Sequence, residues 1–143
     1  MHKFVIVLLL ISKVALSQTE ISWETLSDVE FSYIYVKEED AYVLYPHFGL
    51  SVMELAGQEV LLSGYVLAID PMKRYFVLSQ NPFAACFFCG SGGPETVVEL
   101  KLKSESEYFK MDEFVTIKGV LRLNSDDFYQ CIYIFDYAET HRR

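Results

Sequence analysis

The sequence predicts a mainly β domain: a closed five-stranded barrel with an N-terminal β-hairpin extension and one or two short helices. Three observations carry that expectation. Five runs beyond residue 57 have strand periodicity, turn-forming clusters separate them, and two of the runs hold a glycine in mid-strand. A glycine inside a strand costs stability, and its usual purpose is a bulge or a sharp bend of the kind a closing barrel needs.

The chain begins Met1-His2-Lys3, continues through an apolar run over residues 4–11, and reaches small residues at Ala15 and Ser17. A short basic start, an apolar stretch and small residues before the cut are the parts of a secretory signal peptide. Residues 1–17 therefore read as a cleaved signal, and 18–143 as one domain of an exported protein, periplasmic or extracellular. Ser12 and Lys13 interrupt the apolar run well short of the roughly 20 residues that cross a bilayer, so no membrane span is expected after cleavage.

Residues 18–30 are polar, with Trp23, Leu26 and Val29 spaced by three, a pattern that suits one short helix. Residues 31–36 and 41–45 are β-rich and flank the charged turn Lys37-Glu38-Glu39-Asp40, which reads as a hairpin. Pro46, with no amide proton to give to a ladder, is expected to end it. Residues 50–56 have helical spacing up to a stop at Gly57.

The core strands follow. Residues 59–69 form a long strand apolar on both faces, and 74–79 a second. Residues 96–103 alternate, with Val98, Leu100 and Leu102 on one side and Glu99, Lys101 and Lys103 on the other, so the third strand is expected to be half exposed. A charged connector over 104–110 reads as a short helical element. Residues 114–124 then place Val115, Ile117, Leu121 and Leu123 inward, and Ser125-Asp126-Asp127 turns the chain into a last strand over 128–138.

Five strands with a helical element between the third and fourth is the order of the OB-fold, a small Greek-key barrel. The first and fourth strands share a V-x-I/L-x-G rhythm that puts Gly64 and Gly119 in equivalent places. A two-layer sandwich or an open meander would accept the same glycines.

Charge narrows the class of partner. Residues 1–17 hold two of the 12 basic residues and none of the 20 acidic ones, so the remainder carries a net charge of −10. Nucleic-acid affinity rests largely on Lys and Arg neutralising phosphates, so nucleic acid and anionic membrane surfaces are disfavoured. Small cations and basic protein surfaces stay open.

One stretch departs from the rule that loops are polar. Residues 81–95 read Asn-Pro-Phe-Ala-Ala-Cys-Phe-Phe-Cys-Gly-Ser-Gly-Gly-Pro-Glu, two thiols three positions apart among aromatic residues, prolines and glycines. Four readings stay open. Cys86 and Cys89 can close a disulfide, as thiol pairs tend to do outside the cytoplasm. They can serve as a thiol-disulfide redox pair, although the βαβ setting of that motif is missing.

They can supply two thiolates to a metal such as zinc, and a four-ligand site would then need Cys131 and a histidine, His47 being the better placed. Or they simply plug one end of the barrel. By period two, Cys131 shares a strand face with Tyr129, Tyr133, Phe135 and Tyr137, where a lone cysteine is ordinarily an inert core residue. That aromatic face is also a candidate for stacking an oligosaccharide or a single-stranded ligand.

Catalysis finds little support. The sequence holds no G-x-S-x-G, H-E-x-x-H or phosphate loop, and its carboxylate clusters fall in turns.

Trp23-Glu24-Thr25-Leu26, Gly57-Gln58-Glu59-Val60 leading to Gly64-Tyr65-Val66-Leu67, and the 81–95 loop followed by Val97-Val98-Glu99-Leu100 resemble a family of small exported bacterial proteins classed as a domain of unknown function. The resemblance spans most of the domain, with only the cysteine loop distinctive. It implies an OB-like barrel and an envelope accessory role, since members are often encoded beside ABC-type transporter components, some linked to metal uptake. Many relatives carry one cysteine followed by a proline-rich run where this chain has Cys86-Phe87-Phe88-Cys89-Gly90, so only Cys86 transfers. The leading expectation is thus a non-enzymatic exported accessory protein that uses the 86–95 loop to hold a metal ion or a partner of a transport system.

Overall fold

Strand β4 (Glu59–Asp70) is long enough to serve two partners, and this closes the barrel. From Glu59 to Val66 it pairs antiparallel with β7 (Glu113–Leu123), and from Tyr65 to Asp70 with β5 (Tyr75–Ser79). β5 pairs with β6 (Val97–Leu102), β6 runs parallel to β8 (Tyr133–Thr140), and β8 returns to β7. That circuit is the OB order. The computed structural model describes residues 18–142, and the signal-peptide expectation for residues 1–17 lies outside them. A two-residue strand, β1 (Thr19–Glu20), adds parallel to β4.

Both mid-strand glycines sit where the closure needs them. Gly64 stands where β4 passes from one partner to the other, and a Cβ there would lie 2.6 Å from the carbonyl oxygen of Ser79. Gly119 falls between Lys118 and Val120, where the β7–β8 register shifts, and its Cβ would lie 2.7 Å from Cβ of Phe135. No larger side chain fits either approach unless its neighbours move.

The alternation in the strands fills the interior: Val60, Leu62, Phe76, Leu78, Val98, Ile117, Leu121 and Phe135 are buried in one cluster. Short helices close one end. Ser22 caps α1 (Trp23–Leu26) by accepting from the Thr25 amide, and the helix buries Leu26, while α2 (Leu50–Met53) buries Val52. The Tyr133 hydroxyl, inside the barrel, donates to the Leu26 carbonyl at 2.7 Å, and the Trp23 indole to the Ser63 carbonyl at 2.8 Å.

The hairpin extension is β2 (Val29–Val36) with β3 (Ala41–Phe48). Pro46 does not end it. β3 continues to Phe48 with Pro46 opposite Phe31, because in a two-stranded sheet each strand has an open side on which a missing amide proton costs nothing. The helix expected over 50–56 is shorter, ending at Met53.

Two further expectations are corrected. Residues 104–112 hold turns and extended chain rather than a helix. Phe109 plugs the barrel end instead, its ring edge-on to Phe76 at 5.6 Å. The last strand starts at Tyr133, not 128, because Asn124 and Asp127 bind the local backbone: Asn124 Nδ2 donates to the carbonyls of Asp127 and Cys131, and Asp127 accepts from the Tyr129 amide.

Arg74 does for the 104–112 connector what a helix would have done. It ends the β4–β5 turn at a left-handed φ of 56°, and its guanidinium donates to the carbonyls of Ser104, Glu105 and Glu107 at 2.8, 2.7 and 3.1 Å. Arg74→Ala is expected to cost about 1–2 kcal/mol in urea unfolding. Arg74→Lys should recover little of this, since an ammonium lacks the planar fork that reaches three carbonyls.

Candidate functional site

The side chains that leave β4, β5 and β6 away from the barrel interior make a second, smaller core. Leu67, Val77 and Val97 are buried there together with Cys86, and Ile69, Tyr75, Phe87 and Cys131 pack around them. The outer face of the second and third barrel strands is the surface OB-folds commonly offer to ligands. Here the chain's own cysteine loop lies across it.

The loop keeps its path through three short 3-10 turns, Phe83–Ala85, Phe87–Cys89 and Pro94–Thr96. Gly90 and Gly92 take left-handed φ values of 83° and 74°, which explains the glycine run. Cys86 is fully buried and Cys89 exposed, their sulfurs 3.7 Å apart, and the Cys89 thiol donates to the Phe83 carbonyl at 3.0 Å.

Of the four metal-ligand candidates, this arrangement brings together Cys86 and Cys89. Cys131 packs against the same small core. His47 is on β3, bonded to the Ser32 hydroxyl at 2.7 Å and edge-on to Tyr45. Among the described residues, no three His, Cys, Asp or Glu side chains gather as a set able to hold a metal ion.

The exposed thiol lacks the lowered pKa of a catalytic redox cysteine. Its hydrogen bond with Cys86, then burial, raises the pKa of Cys89, whereas a redox nucleophile needs a lowered one. Cys131 is pushed up to about 12, chiefly by burial and then by the charge of Glu99. Its neutral form is the one the fold prefers, so that contribution is complete below the unfolded thiol value of roughly 8.5 and is lost as pH rises toward 12. Wild-type protein should therefore lose stability across that alkaline window more steeply than Cys131→Ala, as followed by urea midpoints against pH.

Beside the loop lies a cleft of about 410 Å³. Phe87, Phe88 and Pro94 form one wall, Val43, Leu44 and Pro46 of the hairpin another, and the β7–β8 loop, residues 124–132, a third. The Tyr129 hydroxyl donates to Glu39 at 2.9 Å and so ties that third wall to the hairpin turn. Among the described residues no Lys, Arg or His lines the cleft, and Asp127 is the one charged lining residue. Gln130 Oε1, on a lining residue, is a buried acceptor with no donor among the described residues, while the amide nitrogen of the same side chain donates to Asp127 at 2.6 Å.

Sequence reasoning found the cysteine wall and missed the other two. The cluster Asn124-Ser125-Asp126-Asp127 signals a turn, and the aromatic alternation after it points to a strand, so the sequence places Phe128 and Gln130 within β structure rather than in a loop. The aromatic face also divides. Tyr133 and Phe135 are buried, whereas Tyr129 and Tyr137 are 81% and 70% exposed. Tyr137 takes a left-handed φ of 54° beside the register shifts of β8, and this breaks the period of two.

No protein-family model matches the chain, and no curated protein matches it. Among solved structures it is similar to a DUF3299 family protein from Pseudomonas aeruginosa, at 13% identity and a TM-score of 0.55, over 89% of this chain and 98% of that one. At that identity the likeness shows the fold. The neighbour belongs to a domain-of-unknown-function family, in keeping with the coarser part of the resemblance seen in the sequence. Among the described residues no helix is long and apolar enough to cross a membrane.

Proposed function

We propose that this is an exported, non-enzymatic accessory protein that holds a segment of a partner protein, a component of an envelope transport system, in the cleft beside the 86–95 loop. The observation that carries the reading is the cleft itself, walled by apolar and aromatic side chains from three separate elements and, among the described residues, lined by no base. A segment with an aliphatic or aromatic side chain would fill it, and a flanking base would suit Asp127 and Glu39. Export rests on the signal read at residues 1–17, and the transport role on the family resemblance. The metal alternative has less support, since among the described residues no third ligand joins the two thiols.

A fluorescently labelled pentapeptide, Lys-Phe-Val-Leu-Lys, tests the cleft against the same peptide with glutamates in place of the lysines. Fluorescence anisotropy should register the basic peptide and not the acidic one, with affinity reduced about tenfold or more by Leu44→Asp or Phe88→Asp. Equal affinity for both peptides, or indifference to both substitutions, overturns the reading. A photo-crosslinking residue at Phe88 in cells should then give an adduct with a transporter component.

A further inference from the structure

The cysteine pair has a role that the partner reading leaves unused. We infer that Cys86 and Cys89 form an intramolecular disulfide that pins the Phe87–Phe88 wall of the cleft.

Three features of the loop lead there. The Cys89 amide donates to the Cys86 carbonyl at 3.1 Å, an i to i+3 bond that closes a turn. Such turns hold their end Cα atoms within about 7 Å, inside the range a disulfide spans. The same carbonyl accepts the Ser91 amide at 3.1 Å, so the turn is held from both sides. The sulfurs already lie 3.7 Å apart, and a modest swing of the exposed Cys89 side chain takes them to the bond length of about 2.05 Å.

Burial then fixes the order of events. Cys86 is sealed among Leu67, Val77 and Val97, and Cys89 faces solvent. An oxidant therefore meets Cys89 first. The Cys89 thiolate attacks a small disulfide, RSSR, and one thiolate leaves. Cys86 then attacks the Cys89 sulfur of the mixed disulfide and expels the second thiolate. Two cysteine thiols are oxidised to one disulfide, RSSR is reduced to two RSH, and the two cysteine protons end on the two leaving thiolates.

The consequence falls on the cleft. Phe87 and Phe88 lie between the two cysteines and stack edge-on at 5.5 Å. The segment containing them has no strand partner and is held by isolated 3-10 turns, so a ring closed across it removes the local opening that those turns permit. The bond forms whether or not the cleft holds a partner segment; only its value for binding rests on that reading.

The test uses purified intact protein treated with oxidised glutathione, then alkylated in denaturant without reduction and digested with trypsin. The peptide of residues 75–101 carries both cysteines of the pair, and that of 123–142 carries Cys131. The expected result is an unalkylated 75–101 peptide lighter by two hydrogens, with Cys131 alkylated. Alkylation of both Cys86 and Cys89, a persistent glutathione adduct on Cys89, or a cross-link between the two peptides would overturn the assignment.

The pinning is read separately, by chymotryptic nicking at residues 83–88. Reduction should raise its rate on the order of tenfold in the wild type and leave Cys89→Ala, a substitution at an exposed site, unchanged. A wild-type rate indifferent to reduction would overturn the pinned wall while leaving the bond itself to the peptide map. Neither measurement involves the pentapeptide, so a failed disulfide and an empty cleft are told apart.

Discussion

Gly64→Ala should lower the unfolding free energy by about 2–3 kcal/mol, near the upper end of what one added methyl costs in a packed site. The new Cβ would stand 2.6 Å from the Ser79 carbonyl oxygen and 3.0 Å from the Trp23 ring. Neither neighbour gives way easily. Ser79 is paired with Tyr65 in the β4–β5 ladder, and the Trp23 indole is tethered to the Ser63 carbonyl next to the glycine. Relief therefore has to come from β4 itself, at the point where it changes partners. Gly90→Ala is the comparison: its backbone is left-handed, at φ 83°, but nothing lies within 4 Å of the added carbon, so only strain of about 1 kcal/mol is expected. Urea unfolding of both variants decides the matter. A Gly64→Ala loss no larger than that of Gly90→Ala would mean that the glycine is not where the barrel bends.

The contrast between those glycines also shows what could be read in advance. Gly64 and Gly119 are legible because a small residue inside a strand of β-branched and aliphatic neighbours is locally unfavourable and so needs a tertiary reason. They support a closing barrel, while the strand order is read from the succession of the five runs. What stayed hidden depends on long-range cover. Nothing near Glu99 in the chain reveals that the 124–132 loop folds over it, so alternation placed it in solvent. Pro46 reads locally as a stop because its tolerance depends on which side of β3 is left open. The cysteine stretch announced a site, but two of the cleft's walls come from segments about 40 residues to either side, and no local spacing records that they converge.

Glu99 supplies the second large effect. The residue is 3% exposed, a burial that carboxylates tolerate only when paired. Lys101 Nζ forms an ion pair with one carboxylate oxygen, and the other accepts the backbone amide of Cys131 at 3.2 Å. Lys101→Met removes the cation and leaves the anion under its loop. For a fully enclosed pair that would cost about 3–5 kcal/mol; the lysine side chain is about half exposed, and water screening brings the expectation to roughly 2 kcal/mol. Glu99→Gln should cost less, because an amide oxygen still accepts from Cys131 without a charge to compensate. In the double variant Lys101→Met has nothing left to strand, so its loss should fall close to that of Glu99→Gln alone, and the cycle should give a coupling above 1 kcal/mol. Additive losses would refute the pairing. Glu99→Ala carries the effect into the site: without an acceptor the Cys131 amide is freed, the third wall of the cleft loosens, and hydrogen exchange at residues 128–131 should accelerate together with the loss of pentapeptide affinity.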